Sequence, residues 1–248
     1  MTELPRMYHE LAGWFHLIAA PADYAEEAAY YLQVMRNVIG HVPASLLELG
    51  SGGGNNASHY RAHIPDVVLS DLSEEMLALS RTINPGLPHV QGDMRSVRLG
   101  RQFEAVFVHD ACSYLTTAED IRQLAATAFE HCQPGGVALF CPDHTAENLV
   151  FETGHGGHDG DGRALRYLEW TYPGPAGTHA FYVDFVYVLH EDGRDPRVVY
   201  DRHINGALPR ETWLHAIRDA GFEPGAVPLV HSEVPKGHSE VFTGWRPR

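Results

Sequence analysis

Short apolar runs and helix-like runs alternate through the middle of the chain. The apolar runs predict five buried strands, at residues 45–50, 66–70, 87–91, 104–109 and 136–142. Runs with helical spacing of apolar residues predict helices at 54–63, 74–82 and 118–132. Strands that alternate with helices in this way pair in parallel and carry helices on both faces. The pattern therefore predicts a doubly wound α/β sheet.

The segments on either side of this region have other patterns. Residues 4–39 have apolar positions at helical spacing, which predicts a helical cap over 1–40. Residues 153–163 are so rich in glycine that we expect a mobile loop. The β-rich runs that follow, at 165–172, 180–189 and 197–207, predict an antiparallel β platform. Residues 143–207 would thus form an insertion on the substrate side.

The C-terminal part returns to the helix-and-strand pattern. Pro209 is a good first residue for a helix that includes Trp213 and Ile217. Apolar runs at 226–232 and 239–245 predict a hairpin. We expect the whole chain, 1–248, to be one domain.

Composition narrows the class of protein. The formal charge of −14 argues against nucleic acid as a substrate, because phosphate contacts need clustered Lys and Arg. No apolar run is long enough to span a membrane, and the N-terminus lacks a leader pattern, so no membrane partner is expected. The three cysteines have no C-x-x-C spacing, which favours reduced thiols in the cytoplasm.

A glycine-rich loop follows the first predicted strand. This strand ends near Glu48, and the loop opens a helix. The glycines are Gly50, Gly52 and Gly54. Asp71 ends the next strand, at the distance where an acid meets ribose hydroxyls in doubly wound sheets. A dinucleotide loop would place its last glycine at Asn55, so the sequence predicts an adenosine-containing ligand other than a dinucleotide.

The spacing Glu48-x-Gly50-x-Gly52-x-Gly54 resembles motif I of the class I S-adenosylmethionine-dependent methyltransferases. Further segments resemble the family in its order, at 71–77, 91–95, 103–110 and 133–136. The resemblance implies a Rossmann-like seven-stranded sheet, mostly parallel with an antiparallel last strand, and S-adenosylmethionine as the cofactor. It also implies a small-molecule methyl acceptor as partner. The protein would be a monomer or homodimer.

The resemblance assigns roles to several of these residues. Glu48 would hold the amino group of the methionine moiety, Asp71 the ribose and Asp93 the adenine amino group, while Met94 would pack on the ring. The cofactor-binding residues expected in this way are Glu48, Gly50, Gly52, Gly54, Asn55, Asp71, Leu72, Met76, Asp93, Met94 and His109.

Candidate catalytic residues follow the fourth and fifth strands, where the reactive methyl lies in this family. They are Asp110, His109 and His144. Asp110 is favoured to bind a substrate N–H or accept its proton, and His109 is expected to point the other way, because neighbours on a strand alternate faces. A hydrogen-bonded pair that closes the loop 111–115 is the structural alternative. The expected substrate-binding residues are Tyr8, Trp14, Asp110, Tyr114, His144, Trp170, Tyr182 and His203.

The resemblance implies methyl transfer to a nitrogen of a small molecule by in-line attack on the sulfonium carbon. Nitrogen heterocycles and amino sugars of natural-product pathways are the candidate acceptors. Three alternatives remain: an O-methyltransferase on a phenol or carboxylate, a non-catalytic binder of S-adenosylmethionine or S-adenosylhomocysteine, and a nicotinamide oxidoreductase, which Asn55 disfavours. Asp159 and Asp161 lie near His155 and His158 in the sequence, but no metal site is expected, because a glycine-rich loop provides no preorganised third ligand and no His or Cys cluster completes the site.

Overall fold

The computed structural model describes residues 4–232, 234–235 and 237–248. Its helices are α1 (Ala25–Ile39), α2 (Asn55–Tyr60), α3 (Glu74–Ile83), α4 (Ala118–His131) and α5 (Arg210–Asp219). Its strands are β1 (Ser45–Leu49), β2 (Asp66–Asp71), β3 (His89–Gln91), β4 (Phe103–Val108), β5 (Cys132–Phe140), β6 (Thr153–Gly156), β7 (Asp159–Gly160), β8 (Arg163–Pro173), β9 (Ala180–Glu191), β10 (Arg197–Gly206), β11 (Glu223–Pro228) and β12 (Glu240–Trp245).

The first sheet has seven strands in the order β11-β12-β5-β4-β1-β2-β3. The strands β1 to β5 pair in parallel, and β12 runs antiparallel to both β5 and β11. The predicted Rossmann-like sheet with an antiparallel last strand is confirmed. Its central strands are buried on both faces, because helices cover both sides. Leu46 and Leu47, neighbours on β1, belong to different core clusters.

The second sheet is antiparallel, with the order β10-β9-β8-β6, and β7 pairs with β8. Its inner face packs on the N-terminal segment, where Met7, Leu11 and Trp14 meet Leu165 and Tyr187. The predicted platform is therefore present as a separate sheet. Its first strand begins at residue 153, whereas the sequence pattern predicts a first strand at 165–172.

The prediction of a mobile loop at 153–163 is wrong. Residues 153–156 form β6, which pairs with β8, and 159–160 form the short strand β7. The glycines here allow close packing: a Cβ on Gly156 would lie 2.7 Å from the Tyr167 hydroxyl, and one on Gly157 would lie 2.1 Å from a backbone oxygen. His158 also ties this segment to the N-terminus through an ion pair with Asp23 at 3.2 Å.

The N-terminal segment is helical, but most of it is not α-helix. Residues 6–8, 12–17 and 21–24 form three short 3₁₀ helices before α1 begins. Pro5 precedes the first of these helices and Pro21 begins the third, and at a helix start proline needs no N–H to donate. The segment lies between the sheets: His16 Nε2 is 3.1 Å from the Gly53 oxygen, and Asp201 accepts hydrogen bonds from the Arg6 and Met7 amides.

The second strand of the C-terminal hairpin is β12, at Glu240–Trp245, close to the predicted run at 239–245. The first strand, β11, begins three residues before the predicted run at 226–232 and ends at Pro228. All three cysteines are buried and unbridged. Among the described residues, no helix combines the length and apolar character that a membrane crossing requires.

Candidate active site

The glycine loop joins β1 to α2 at the carboxyl edge of the first sheet. Gly50, Gly52 and Gly54 all have positive φ, at 72°, 52° and 78°. A Cβ on Gly50 would lie 2.3 Å from the Ala111 Cβ, so this glycine allows β1 to approach the segment after β4. A Cβ on Gly52 would meet only the Met76 methyl, at 3.7 Å. The loop thus leaves its backbone open at Gly52, as a ligand that contacts bare backbone requires.

Two acids flank this loop, Glu48, which is buried, and Asp71, which is partly buried. Asp71 accepts hydrogen bonds from the Gly52 amide at 2.8 Å and the Ser73 amide at 2.9 Å, and burial raises its pKa. Glu48 is 3% exposed and accepts a hydrogen bond from the Tyr60 hydroxyl. Burial raises the pKa of Glu48 to about 8. A buried acid with this pKa favours a cationic partner, which would restore its charge.

The polar atoms around the loop fit an adenosine-containing cofactor. Three buried side-chain oxygens close to it have no hydrogen-bond partner in the part of the chain that the structure describes: Ser51 Oγ, Asn55 Oδ1 and Asn56 Oδ1. Buried polar groups are rarely left unpaired in native proteins, so these atoms indicate a polar ligand. Met94 lies near the loop, with its sulfur 3.9 Å from where a Cβ on Gly50 would be, and Leu72 is 47% exposed.

Asp93 is placed differently from the other expected cofactor residues. Arg95 holds both oxygens of its carboxylate, through an ion pair at 2.6 Å, and also contacts Asp120 at 2.7 Å. The Arg95 guanidinium lowers the pKa of Asp93. The structure therefore engages this carboxylate within the protein, and its role towards adenine stays a prediction.

His109 and Asp110 lie directly after β4. The expectation that they point in opposite directions is wrong, because His109 Nε2 lies 3.0 Å from Asp110 Oδ1. The strand ends at Val108 and a 3₁₀ helix begins at Asp110, so the alternation of faces stops there. The Asn56 amide nitrogen lies 3.3 Å from His109 Nδ1, which leaves Nε2 to donate to Asp110 or to Glu27 at 3.5 Å.

Asp110 forms a carboxyl pair with Asp143, which follows β5. The two side chains share a hydrogen bond, and Ser113 Oγ contacts Asp143 at 3.2 Å. Solvent reaches the pair through the cleft: 46% of the Asp110 side chain is accessible, and Asp143 is exposed. The charge of Asp110 raises the pKa of Asp143, and the pKa of Asp110 is raised as well. Two neighbouring carboxylates repel each other, so the pair favours a state that holds one proton.

A chain of hydrogen bonds connects the N-terminal segment to the second sheet. The Tyr8 and Tyr114 hydroxyls are 2.7 Å apart, and the Tyr114 hydroxyl lies 2.6 Å from His203 Nδ1. His203 Nε2 in turn lies 3.3 Å from Asp201. Burial raises the pKa values of both tyrosines, so they stay protonated. The structure thus brings Tyr8, Tyr114 and His203 together.

Three other expected substrate residues lie elsewhere. Trp14 is 6% exposed in the core between the N-terminal segment and the second sheet, beneath the Arg163 guanidinium. Trp170 and Tyr182 lie on the outer face of the second sheet, opposite the face that carries His203. Trp170 is 52% exposed. The structure does not bring these three residues to Asp110.

A pocket of about 310 Å³ opens beside the carboxyl pair. Among its lining residues are Glu27, His109, Asp110, Asp143 and His144. The His144 ring packs edge-on against Phe181, and burial lowers its pKa. Within the described residues, no group of three or more His, Cys, Asp or Glu side chains is arranged to hold a metal ion.

Sequence reasoning missed four residues of this site: Glu27, Asn56, Tyr60 and Ser113. Glu27 accepts a hydrogen bond from the Asn56 amide at 2.9 Å, yet it lies on α1, far from the glycine loop in sequence. Its only sequence signal is its place in a helix that carries aromatic residues. Asn56 and Tyr60 lie on α2 directly after the loop, where the helical spacing could have shown them.

The chain matches known proteins in sequence and in structure. Residues 46–136 match the family model described as a methyltransferase domain. Over 121 residues the chain is 36% identical to the dTDP-3-amino-3,4,6-trideoxy-alpha-D-glucopyranose N,N-dimethyltransferase of Streptomyces venezuelae. That match covers 48% of this chain and 51% of the relative. The similarity in sequence to the curated relatives therefore spans about half of their length.

The likeness in structure extends over the whole chain. The crystal structure of Streptomyces venezuelae DesVI superposes with a TM-score of 0.82 at 26% identity, over 96% of this chain and 98% of that one. The sugar N-methyltransferase KedS8 from Streptoalloteichus sp ATCC 53650 gives a TM-score of 0.84 at 22% identity, over 100% and 96% of the two chains, which shows the same fold. Domain match, glycine loop and fold agree: residues 46–136 are similar to the methyltransferase-domain family, and the fold is that of DesVI and KedS8.

Proposed function

We propose that this protein transfers a methyl group from S-adenosylmethionine to the amine nitrogen of an amino sugar in a natural-product pathway. The observation that carries the proposal is the carboxyl pair Asp110–Asp143, which lies next to the glycine loop and beside Glu27. Methyl transfer to an amine needs a group that takes up a proton and a site that attracts a cation. This cluster supplies both.

The choice of an amino sugar rests on the relatives. The sequence relative is named as an N,N-dimethyltransferase of an amino deoxysugar, and KedS8 is described as a sugar N-methyltransferase. Amino sugars are also basic, so their ammonium form complements an acidic cleft. Phenols and carboxylic acids are neutral or anionic, so O-methylation is the weaker candidate.

The donor half of the site would hold the cofactor through its flanking acids. S-adenosylmethionine supplies a methyl group on a positively charged sulfur. Glu48, made basic by burial, would bind the ammonium group of the methionine moiety, and Asp71 would bind the ribose hydroxyls. Ser51 Oγ, Asn55 Oδ1 and Asn56 Oδ1, which have no hydrogen-bond partner among the described residues, are further acceptors near the loop.

The acceptor half would hold the amine and take its proton. An ammonium nitrogen has no free electron pair, so the acceptor must be deprotonated before it can react. Asp110 lies at the end of β4, at the mouth of the cleft, and shares a proton with Asp143. The pair can accept the amine's proton because its two carboxyl groups are not both protonated near neutral pH. Tyr8 and Tyr114 would position the sugar.

Positioning accounts for most of the catalysis that we expect. The leaving group is already cationic, so no acid is needed to expel it. The protein therefore has to align the nitrogen with the methyl carbon and exclude water, which can supply several kcal/mol. We expect this chemistry in the cytoplasm, where the three buried thiols stay reduced.

Two measurements test the proposal. Calorimetry with S-adenosylhomocysteine and with NADH tests the cofactor, and we expect micromolar binding of the first and none of the second. Transfer of labelled methyl groups to amino sugars, nitrogen heterocycles and phenols then tests the acceptor. We expect label on the amino sugar nitrogen, detected by mass spectrometry. Binding of NADH alone would overturn the cofactor assignment, and label only on a phenol or heterocycle would overturn the acceptor assignment.

A further inference from the structure

The hydrogen bonds that join the N-terminal segment to the second sheet end at a buried carboxylate, that of Asp201. Asp201 is 3% exposed, and its two oxygens accept hydrogen bonds from the Arg6 amide at 3.0 Å and from the Met7 amide at 2.9 Å. Burial alone would raise the pKa of Asp201, but the hydrogen bonds that it accepts outweigh burial and lower the pKa. Asp201 is therefore ionised at neutral pH, and an ionised carboxylate can only accept hydrogen bonds.

This carboxylate determines which nitrogen of His203 carries a proton. His203 Nε2 lies 3.3 Å from Asp201 Oδ2 and has to donate to it. An uncharged imidazole has one N–H, so a proton on Nε2 leaves Nδ1 as an acceptor. Nδ1 lies 2.6 Å from the Tyr114 hydroxyl, which must then donate to it. A tyrosine has a single hydroxyl proton, so the proton of Tyr114 points to His203.

The same reasoning fixes the hydroxyl proton of Tyr8, at the other end of this network. The Tyr8 and Tyr114 hydroxyls are 2.7 Å apart. Because the Tyr114 proton already points to the imidazole, the Tyr8 hydroxyl has to donate to the Tyr114 oxygen. The Tyr8 oxygen then keeps its lone pairs, but it has no proton left to offer to a ligand.

Both tyrosines lie beside the acids of the site. Tyr114 belongs to the 3₁₀ helix that begins at Asp110. The Tyr8 carbonyl accepts a hydrogen bond from the Ser73 hydroxyl, and the Ser73 amide donates to Asp71 at 2.9 Å. Burial raises the pKa of Tyr8, and the negative charges of Asp110 and Asp71 raise it further. The Tyr8 side chain therefore lies between the donor half and the acceptor half of the site.

An amine attacks the methyl carbon with its lone pair, so the groups that hold the amine in place have to accept its N–H bonds. We infer that Asp201 and His203 are positioning residues for methyl transfer, which direct the hydroxyl protons of the network away from the cleft so that the Tyr8 oxygen accepts an N–H of the acceptor amine. This inference rests on the proposed function, because it needs an amine as the acceptor. A network of the opposite direction would present a proton to the lone pair that the reaction uses.

The direction of the network can be measured without a substrate. In protein isotopically labelled at the histidine nitrogens, long-range nitrogen–proton NMR correlations show which ring nitrogen is protonated. We expect His203 to carry its proton on Nε2 and to have a bare Nδ1, with its signals assigned by their loss in His203→Asn. Tyr114→Phe should shift the Nδ1 signal, because Nδ1 loses its donor. A proton on Nδ1, in the other neutral form or in an imidazolium, would overturn the inference and leave the proposed function standing.

Kinetics then test whether this direction matters for the acceptor. The probe is the dTDP-linked amino sugar in the name of the Streptomyces venezuelae relative. His203→Phe keeps a ring but removes the acceptor of the Tyr114 proton, so we expect KM for the probe to rise about fivefold and kcat to stay within about twofold. His203→Asn supplies a side-chain oxygen in place of Nδ1 and should recover most of the loss. The matched control is His215→Phe, on the exposed face of α5, which should change neither constant.

A double-variant cycle separates positioning from a structural role. Tyr8→Phe removes the hydroxyl whose proton the network directs, so adding His203→Phe to it should raise KM by less than about twofold more. If His203→Phe costs as much in this background as in the unaltered protein, His203 only supports packing and the inference is wrong. Binding of S-adenosylhomocysteine without methylation of the probe or of any other amino sugar would overturn the proposed acceptor, and the inference with it.

Discussion

The donor and acceptor halves of the site are built in different ways. On the donor side, Glu48, Gly50 and Gly52 lie within five residues of one another, and the single loop between β1 and α2 positions them. On the acceptor side, Tyr8, Tyr114 and His203 come from three distant segments and meet through hydrogen bonds of 2.6 to 2.7 Å. Backbone geometry defines the first half, and tertiary packing defines the second.

This difference explains why a family can share a cofactor and change its acceptor. A short loop with positive φ angles tolerates few substitutions, since a side chain there is strained or collides. A wall assembled from several segments can change one residue at a time. The two halves meet through the hydrogen bonds of Asn56 with His109 and Glu27, and at a close contact between Gly50 and Ala111, beside Asp110.

Gly50→Ala should have the largest effect, because it acts at this contact. The new Cβ would lie 2.3 Å from the Ala111 Cβ, at a backbone φ of +72°. We expect turnover to fall about a hundredfold or more, since a shift of the segment that carries Asp110 misplaces the reacting groups. Steady-state kinetics measure the turnover, and calorimetry with S-adenosylhomocysteine measures cofactor binding by the donor half alone.

Two controls separate the collision from the backbone strain. Gly40→Ala has the same strain, with φ of +89°, but nothing lies within 4 Å, so it should cost only about 1–2 kcal/mol of stability. Gly50→Ala/Ala111→Gly removes the colliding methyl group and should recover part of the turnover. If the double variant is no better than Gly50→Ala, the two halves are not coupled through this contact.

Asp110→Asn should have the next largest effect, and it tests the acceptor half alone. We expect kcat/KM to fall about 10²–10³-fold near neutral pH, because the amine loses its proton acceptor, while binding of S-adenosylhomocysteine changes little. The loss should shrink as pH rises, because an amine that is already neutral needs no base. A pH profile of both proteins measures this.

The control is Asp66→Asn, which alters an exposed ion pair with Arg101 away from the cleft. Its profile should follow that of the unaltered protein. A loss in Asp110→Asn that stays constant with pH would mean that Asp110 positions the amine without taking its proton.

The elements of the donor half could be predicted from the sequence because their signals are local. Apolar periodicity placed β1 and β2 to within a residue, and Thr117 caps α4 by accepting a hydrogen bond from the Asp120 amide. Glu48 and Asp71 lie beside the loop for the same reason. Strand ends and loop glycines depend on neighbours in the chain.

The acceptor half could be predicted only in part, because its geometry depends on distant partners. Alternation along β9 divides its residues into two faces but does not say which face is covered, so the sequence could not show that Tyr182 lies on the outer face. The glycines of 153–163 indicated mobility, yet they serve close strand packing against Tyr167. The direction of His109 depended on a strand that ends one residue earlier than predicted.

Glu48→Gln should have a smaller effect than the two substitutions above. It should raise the stability of the protein without cofactor and weaken the binding of the cofactor. The folded protein raises the pKa of Glu48 from its ordinary value of 4.5 to about 8, so the folded state binds this proton more tightly than the unfolded state. Stability is therefore lost as pH rises from 4.5 and levels off above about 8. At about pH 9 we expect the variant without cofactor to unfold about 5 °C higher.

The same substitution should weaken S-adenosylmethionine binding about tenfold, because a neutral amide replaces the acid that would face its ammonium group. Calorimetric unfolding at about pH 4 should show no gain, since Glu48 is then protonated in both states. Glu74→Gln, which removes an exposed acid on α3, serves as the control. If the unfolding temperature rose equally at both pH values, the stabilisation would not come from the ionisation of Glu48.

The smallest effects compare the two faces of the second sheet. Tyr114→Phe removes a hydroxyl that contacts Tyr8 and His203, so we expect KM for the acceptor to rise about fivefold with little change in kcat. Trp170→Ala removes a large side chain from the outer face, where its ring centroid lies 4.6 Å from that of Tyr172, and should leave kcat/KM within about twofold. If Trp170→Ala had the larger effect, the acceptor would have to contact the outer face, and the division into an inner binding wall and an outer surface would be wrong.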